Sequence, residues 1–168
     1  PAAMSTSRAC ASIQGFNMPA SRVHLRQIAA GWRQRKGAAM EWSGEASVMT
    51  RRQHGENAVI LTVFARDAGL ITGLVPGGAS AKRAAMLQPG NRVSALWRAR
   101  LEDQLGTFTL EPGAARPGLL ASAAALDGMN ATAALLRFAL PERDPHPQLW
   151  RASELLWDAM DAGADWAG

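Results

Sequence analysis

The chain has 168 residues, 48% of them apolar and 19% charged, with a formal net charge of +4. This length and apolar content suit one domain with a hydrophobic core, or a small domain plus part of a second, and they exclude a disordered chain. No apolar run reaches the roughly 18 residues that span a bilayer, and the single cysteine, Cys10, excludes an internal disulfide and a multi-cysteine zinc site.

The positive charge is concentrated at the N-terminus. Residues 1–39 hold six basic and no acidic side chains, residues 40–116 carry +2 and residues 117–168 carry −4. The basic character of the whole chain therefore does not by itself predict nucleic-acid binding. Residues 1–39 show no helix or strand period and have the composition of a transit peptide or a basic arm, so we predict a disordered extension or translated upstream sequence.

From residue 40 the pattern is that of β-strands. Glu41–Arg52 alternates, with Trp42, Ala46 and Val48 on one face and Glu45, Ser47, Met49 and Arg51 on the other. Ala58–Arg66 is a dense β-branched run that we expect to be buried on both faces. Asp67-Ala68-Gly69 predicts a tight turn into a third strand, Leu70–Val75, in which Gly73 predicts a bulge or bend.

A helix and two further strands complete this pattern. Ser80–Leu87 predicts a short helix that Ser80 caps. Arg92–Leu101 alternates, with Val93, Ala95, Trp97, Ala99 and Leu101 inward, and Gly106–Glu111 predicts a fifth strand with Phe108 and Leu110 inward. Five short strands with a helix between the third and fourth predict an OB-fold, a small and partly open barrel, over residues 40–116.

After residue 116 the apolar period changes to that of helices. We predict helices over Leu119–Leu126, Met129–Leu140 and Leu149–Met160, with a proline-rich connection over residues 141–147. Three such helices bury only a thin core by themselves. Residues 117–168 are therefore predicted to be the start of a truncated α-helical domain.

Cationic side chains give the strongest local signal of function. Arg92, Arg98 and Arg100 share one strand face at an even spacing that suits phosphates. Other cations of the barrel are expected to join them: Arg51, Arg52, Arg66, Lys82 and Arg83. The alternative is a solvated sheet face on which the arginines pair with Glu102 and Asp103.

Other candidate sites favour structural roles. The rings of Trp42, Phe64, Trp97 and Phe108 lie in apolar patterns that predict core packing rather than base stacking. Gly73–Ser80 has the spacing of a phosphate-binding loop, but Ala79 stands where that motif needs lysine. The loop is thus a plain turn, or a cradle of amides near Gly77-Gly78 for a DNA phosphate.

No catalytic constellation is visible in the sequence. His24, His54 and His146 are scattered without metal-ligand spacing, and no Ser/His/Asp set occurs at local spacing. We therefore predict a protein that is not an enzyme and that uses no metal or cofactor.

Eight segments occur in an order that characterises one protein family. They are Met40-Glu41-Trp42, Arg52-Gln53-His54-Gly55-Glu56, Gly73-Leu74-Val75 with Gly77-Gly78, Leu87-Gln88-Pro89-Gly90-Asn91-Arg92-Val93, Trp97-Arg98-Ala99-Arg100-Leu101, Leu105-Gly106-Thr107-Phe108, Met129-Asn130-Ala131 and Ala139-Leu140-Pro141-Glu142-Arg143. In this order they resemble the RecO family of bacterial recombination-repair proteins. The resemblance covers about residues 40–168.

The resemblance implies an OB-fold followed by a larger α-helical domain, in a cytoplasmic, nucleoid-associated protein. It implies binding to single- and double-stranded DNA, annealing of complementary strands, and mediation of recombinase loading. The implied partners are a RecR-like protein, single-stranded DNA-binding protein and, indirectly, a RecA-like recombinase, with no membrane. The alternative function is a protein-binding module of a repair complex that makes no direct DNA contact.

Overall fold

A computed structural model describes residues 31–34, 40–101 and 104–163. In chain order its elements are β1 (Gly31–Gln34), β2 (Met40–His54), β3 (Ala58–Ala65), β4 (Gly69–Val75), α1 (Ala81–Met86), β5 (Arg92–Ala99), β6 (Gly106–Pro112), a 3-10 helix (Pro117–Leu120), α2 (Ala123–Ala139) and α3 (Pro147–Asp161). Within the described ranges, every helix is too short or too polar to cross a bilayer.

Five strands close into a barrel. The N-terminal half of β2 pairs with β5 and its C-terminal half pairs with β3, both antiparallel. β4 and β6 pair in parallel through Gly73–Gly106 and Leu74–Thr107. The order β2-β3-β4-β6-β5, returning to β2, with α1 between the third and fourth barrel strands, is the topology of an OB-fold. The predicted fold class is confirmed, because a barrel of this kind is followed by helices.

The interior of the barrel is filled by alternate residues of every strand. Trp42, Trp97 and Phe108 stand opposite one another in register and are fully or almost fully buried. The inward face of β5 is as predicted except at Leu101, which is 54% exposed because the strand ends at Ala99. The prediction that β3 is buried on both faces holds for its second half, Val63 to Ala65, whereas its first half alternates, with Ile60 half-buried on the outer side.

The irregularity in the sheet lies in β2 and not at Gly73. The register of β2 with β3 shifts between Val48 and Thr50. Gly73 keeps a regular register with Leu61, and a Cβ at this position would lie 2.8 Å from the Phe108 ring. The glycine is therefore needed for close packing in the barrel, and the prediction of a bulge there is wrong.

A second core joins the helices to the outside of the barrel. Met49, Phe64 and Leu70 project outward from β2, β3 and β4 and pack against a helical cluster. That cluster consists of Leu119, Ala125, Met129, Ala133, Leu136, Trp157 and Met160. The boundary predicted after residue 116 stays a prediction, but the residues that follow it share a core with the barrel.

Two of the three predicted helices differ from the structure. Leu119–Leu126 and Met129–Leu140 are replaced by the short 3-10 helix and by one continuous helix, α2. Asn130 lies on the exposed side of α2, where its solvated side chain leaves the helix uninterrupted. The third prediction, Leu149–Met160, lies within α3, which begins with Pro147 in the first turn.

The sequence did not predict β1. Gly31–Gln34 pairs antiparallel with Met40–Ser43, and Trp32 meets the Trp97 ring edge-to-face at 5.5 Å. Four residues are too few for a recognisable period. The other residues of the predicted extension, 1–30 and 35–39, lie outside the described residues.

Ser122 caps α2, and its replacement tests how far this helix contributes to stability. The Ser122 side chain accepts a hydrogen bond from the Ala125 amide at 3.4 Å. Ser122→Ala is expected to lower the free energy of unfolding by about 1 kcal/mol, since the first amides of the helix lose an acceptor. Urea denaturation measures this, with Ser80→Ala as the control because the Ser80 side chain caps no amide of α1. Equal losses in the two variants would contradict the assignment.

Candidate nucleic-acid interface

One row of outward side chains crosses five strands of the barrel. Arg52 stands opposite Ile60, Ile60 opposite Leu74, Leu74 opposite Thr107, and Thr107 opposite Arg98. Paired residues of neighbouring strands point to the same face of a sheet. We call these five residues the arginine-ended row, because a cation stands at each end.

A row of threonines lies beside it. Thr50 stands opposite Thr62, and Thr62 opposite Thr72, two residues along each strand from the arginine-ended row. The Thr62 and Thr72 hydroxyl oxygens are 3.2 Å apart, which confirms that they share a face. Two residues along a strand correspond to about 7 Å, so the threonine row and the arginine-ended row form one continuous surface, here called the barrel face.

The barrel face is open and chemically mixed. Arg52 and Thr107 are exposed, whereas Ile60 and Leu74 are half-buried. Hydroxyls and guanidinium groups bind phosphate and sugar oxygens, and small apolar side chains can lie against sugars or bases. This arrangement suits an extended polyanion that crosses the strands.

Three of the predicted cations lie at the two ends of the arginine-ended row. Arg52 and Arg98 end the row, and Arg100 is exposed just beyond the end of β5, two residues after Arg98. The Arg98 side chain is 54% exposed, and its Nε donates to Glu41 at 2.8 Å. The acids expected to pair with these arginines, Glu102 and Asp103, lie outside the described residues.

The Arg92 guanidinium is not free to bind a phosphate, because it is paired with acidic side chains of α3. Its guanidinium forms ion pairs with Glu154 and, at 3.4 Å, with Asp158, both on α3. The predicted set of three arginines on one face of β5 is therefore wrong in this respect. Helix α3 packs over the start of β5, which the strand pattern alone could not reveal.

Arg51 is turned away from the barrel face by the irregularity in β2. Beyond the register shift Arg51 stands opposite Leu61, which is an interior residue, and Arg52 takes the outer position. The Nε of Arg51 is buried and has no hydrogen-bond partner. One inserted residue reverses which side each later side chain faces.

The remaining predicted cations lie at the two ends of the barrel. Lys82 and Arg83 are on α1, near the β2–β3 turn, since the Ala79 amide donates to the Asn57 carbonyl at 3.4 Å. Arg83 donates to the Pro76 carbonyl at 2.7 Å. Arg66 is exposed in the β3–β4 turn at the opposite end. Lys82 and Arg83 thus lie toward the end of β2 that carries Arg52, and Arg66 lies at the other end of β3.

Comparison with known proteins identifies the family. The family model described as "Recombination protein O N terminal" matches residues 40–112. The DNA repair protein RecO of Paracoccus denitrificans is 73% identical over 128 residues, which are 76% of this chain and 53% of the relative. The chain belongs to the RecO family.

Other RecO proteins show the same partial coverage. The DNA repair protein RecO of Ruegeria is 47% identical over 76% of this chain and 53% of its own. The DNA repair protein RecO of Methylobacterium nodulans is 49% identical over 70% of this chain and 48% of the relative's length. The chain spans about half the length of the curated RecO relatives it matches.

The glycine loop of this RecO chain is a turn. The amides of Gly78 and Ser80 donate to the Val75 and Gly77 carbonyls within the loop, and the Ala79 amide donates to Asn57. These amides are therefore not directed together at a ligand. The interpretation of a plain turn fits these contacts, and the amide cradle does not.

The four aromatic side chains predicted to pack in the core, not to stack on bases, are all in cores. Trp42, Trp97 and Phe108 fill the barrel, and Phe64 packs under the helices. The prediction of core packing is confirmed for each of them.

In the described part of the chain, no group of three or more His, Cys, Asp and Glu side chains is placed to hold a metal ion.

A buried ionic cluster, which the sequence analysis missed, joins α3 to the barrel. Arg116 is 4% exposed and Glu154 3% exposed, and the Arg116 Nη2 lies 2.9 Å from the Glu154 carboxylate and 2.7 Å from Asp158. Glu154 also accepts hydrogen bonds from Ser47 and Arg92. The signal available in the sequence was Glu154 and Asp158 at i and i+4 on one helix face.

Arg116 keeps its charge in this cluster. Burial by itself lowers the pKa of Arg116, but the hydrogen bonds and negative charges of Glu154 and Asp158 outweigh it, so the pKa lies above its ordinary value. Arg116 also donates to the Gly90 carbonyl at 2.5 Å. The cluster fixes α3 over the start of β5 and keeps Arg92 away from the barrel face.

Proposed function

We propose that this chain binds DNA without sequence preference through the barrel face and, as part of a RecO protein, anneals complementary strands in recombinational repair. The observation that carries the proposal is the arginine-ended row with the threonine row beside it. Guanidinium groups at both ends and hydroxyls between them suit the repeated phosphates of a nucleic-acid backbone. The outer faces of the second and third strands are where OB-folds bind oligonucleotides.

The proposed chemistry is charge neutralisation, with no bond made or broken. Two complementary strands repel each other through their phosphates, and cations that hold one strand reduce this repulsion for the second. The rings of Trp42, Phe64, Trp97 and Phe108 are buried, so the DNA backbone and not the base edges supplies the contacts. Binding of this kind accepts any sequence, as an annealing protein requires.

We propose that the protein acts together with a RecR-like protein. It would help to load a RecA-like recombinase on strands coated by single-stranded DNA-binding protein. The support for these partners is the family resemblance. A cytoplasmic, nucleoid-associated location likewise stays a prediction.

Two pairs of arginine substitutions in the full chain test DNA binding. Arg52→Ala with Arg100→Ala removes one exposed cation from each end of the barrel face or just beyond it, and Arg137→Ala with Arg151→Ala removes two exposed cations from α2 and α3. Both variants have the same net charge and keep residues 1–39, so the basic N-terminus contributes equally. We expect the first pair to weaken binding of a labelled single strand about tenfold and to reduce the salt slope by about 1.4, at about 0.7 per phosphate contact.

Two results would contradict this function. Equal losses in the two pairs would show that only overall charge matters. A salt-independent affinity in the unsubstituted protein would show that phosphates do not supply the binding.

A protein-binding module is the second candidate function, and one observation favours it. Phe138 is 91% exposed on α2, next to exposed Leu135 one turn earlier. Exposed apolar side chains on one helix face are typical of surfaces that other chains cover. Absence of any oligonucleotide binding at low salt would favour this candidate over DNA binding.

A further inference from the structure

The connection between α2 and α3 forms part of the barrel wall. Glu142 forms a parallel bridge with Leu70 of β4, and the Arg143 amide donates to the Leu70 carbonyl at 2.8 Å. A Cβ at Gly69 would overlap the backbone of Asp144. Residues 142–144 thus run along the first half of β4, whose second half pairs with β6.

This placement puts a carboxylate at the edge of the barrel face. The Thr72 hydroxyl donates to the Glu142 Oε1 at 2.7 Å, and Glu142 is exposed. Glu142 therefore stands at the end of the threonine row. The arginine-ended row passes through Leu74, two residues along β4 from Thr72, or about 7 Å away.

A single strand and a duplex, which carry one and two sugar-phosphate backbones, meet the Glu142 carboxylate differently. A single strand can place its phosphates along the arginine-ended row and meet the threonine row with its sugars, which carry no charge. A duplex carries two backbones separated by grooves of about 6 and 12 Å. When one backbone lies on the arginine-ended row, the other is brought over the threonine row, where the Glu142 charge repels its phosphates.

We propose that Glu142 makes the barrel face selective for one nucleic-acid backbone over two. The carboxylate is held in place from both sides, by the Thr72 hydroxyl and by the bridge of its own backbone to β4, so it does not simply move aside when a duplex approaches. This inference rests on the proposed function, because it specifies which form of DNA the same surface prefers.

Glu142→Gln in the full chain tests the inference. Glutamine can still accept the Thr72 hydrogen bond but carries no charge. Affinities are measured for a labelled 20-nucleotide strand and for its duplex at the same low salt. We expect the duplex affinity to rise about three- to tenfold, as removal of one nearby like charge does at low ionic strength, and the single-strand affinity to change less than about twofold.

Two further variants separate the causes. Asp127→Asn makes the same change of charge on the exposed side of α2, opposite buried Ala125 and Met129, and is expected to leave the ratio of the two affinities unchanged. Glu142→Asp keeps the charge but shortens the reach to Thr72. Its ratio of duplex affinity to single-strand affinity is expected to stay within about twofold of that of the unsubstituted protein, because the charge remains near the surface.

The possible failures are distinguishable. If the unsubstituted protein binds neither strand nor duplex, the proposed function and this inference both fail. If it binds DNA but Glu142→Gln behaves like Asp127→Asn, only the inference fails. An equal gain of duplex affinity in Glu142→Asp and Glu142→Gln would assign the effect to the lost hydrogen bond and would also overturn the inference.

Discussion

Glu154→Ala is expected to lower the free energy of unfolding by about 3–5 kcal/mol, a large share of the stability of a domain of this size. Glu154 is buried and accepts hydrogen bonds from Ser47, Arg92 and Arg116. Its removal leaves the Arg116 guanidinium buried without its main counter-charge. The cost comes from this uncompensated cation more than from the lost attraction.

Asp158→Ala is the matched control for this prediction. Asp158 lies one turn further along α3 and contacts the same Arg116, but its side chain is 54% exposed. An exposed partner is worth about 1 kcal/mol or less, because solvent screens the pair. Urea denaturation followed by circular dichroism measures both variants, and equal losses would contradict the role given to burial.

A double variant tests the explanation further. Arg116→Met with Glu154→Met removes both buried charges and keeps much of the volume. It is expected to be more stable than Glu154→Ala alone, because no unpaired cation remains in the protein interior. If the double variant is less stable than Glu154→Ala, the charge argument is wrong and packing explains the loss.

The pH dependence of the cluster follows from the direction of the Arg116 shift. Its pKa is raised in the folded chain, so its contribution to stability is fully present below the ordinary arginine pKa. That contribution is lost only as pH rises through the higher folded pKa. The Arg116 cation therefore stabilises the fold over the whole range in which proteins are usually studied.

Trp97→Ala is expected to destabilise the fold by about 3–5 kcal/mol, as large-to-alanine changes in cores do. Trp97 is fully buried between Trp42 and Phe108 in the barrel interior. Gly106 packs so closely on its indole that any side chain there would overlap the ring. The cavity left by alanine is therefore bordered by the Gly106 backbone, which has no side chain to fill it.

Trp97→Ala also removes contacts to other parts of the chain. The Trp97 Nε1 donates to the Thr72 carbonyl at 3.1 Å, and the Arg143 guanidinium lies 4.9 Å from the indole centroid. Trp97 thus supports both β4, which carries part of the threonine row, and the connection that carries Glu142. Thermal or urea denaturation measures the effect.

Phe138→Ala is the control for the loss of an aromatic ring. Phe138 is 91% exposed on α2, so its removal is expected to change stability by less than about 0.5 kcal/mol. A loss as large as that of Trp97→Ala would show that exposure in this structure does not describe the packing of the chain in solution.

The order of strands and the buried faces could be predicted because their signals are local. In β5, alternate residues from Val93 to Ala99 are apolar, and the pleat of a strand turns such residues to one side whatever surrounds it. Gly69, with φ of 70°, supplies the turn that the sequence indicated between β3 and β4. The five-strand barrel, its helix α1 and the burial of Trp42 and Trp97 follow from these local rules.

The candidate site depended on contacts between distant parts of the chain. Arg92 and Arg98 look alike in the sequence, but α3 brings Glu154 to Arg92 from 62 residues away, whereas Arg98 pairs with Glu41 and its side chain stays 54% exposed. Arg51 and Arg52 exchange faces because β2 gains one residue against β3 at Val48–Thr50. Charge pairing and strand register are set by which segments become neighbours in space, and no local period records that choice.

The amino-acid sequence by itself thus determined the fold class, the family and the burial of the large aromatic rings, since periodicity and turn residues act over a few positions. Only the tertiary structure decided which cations are available and which are neutralised. It also placed Glu142 beside Thr72, 70 residues away along the chain. The physical reason is that electrostatic interactions depend on distance in space, and that distance is fixed only when the helices pack on the barrel.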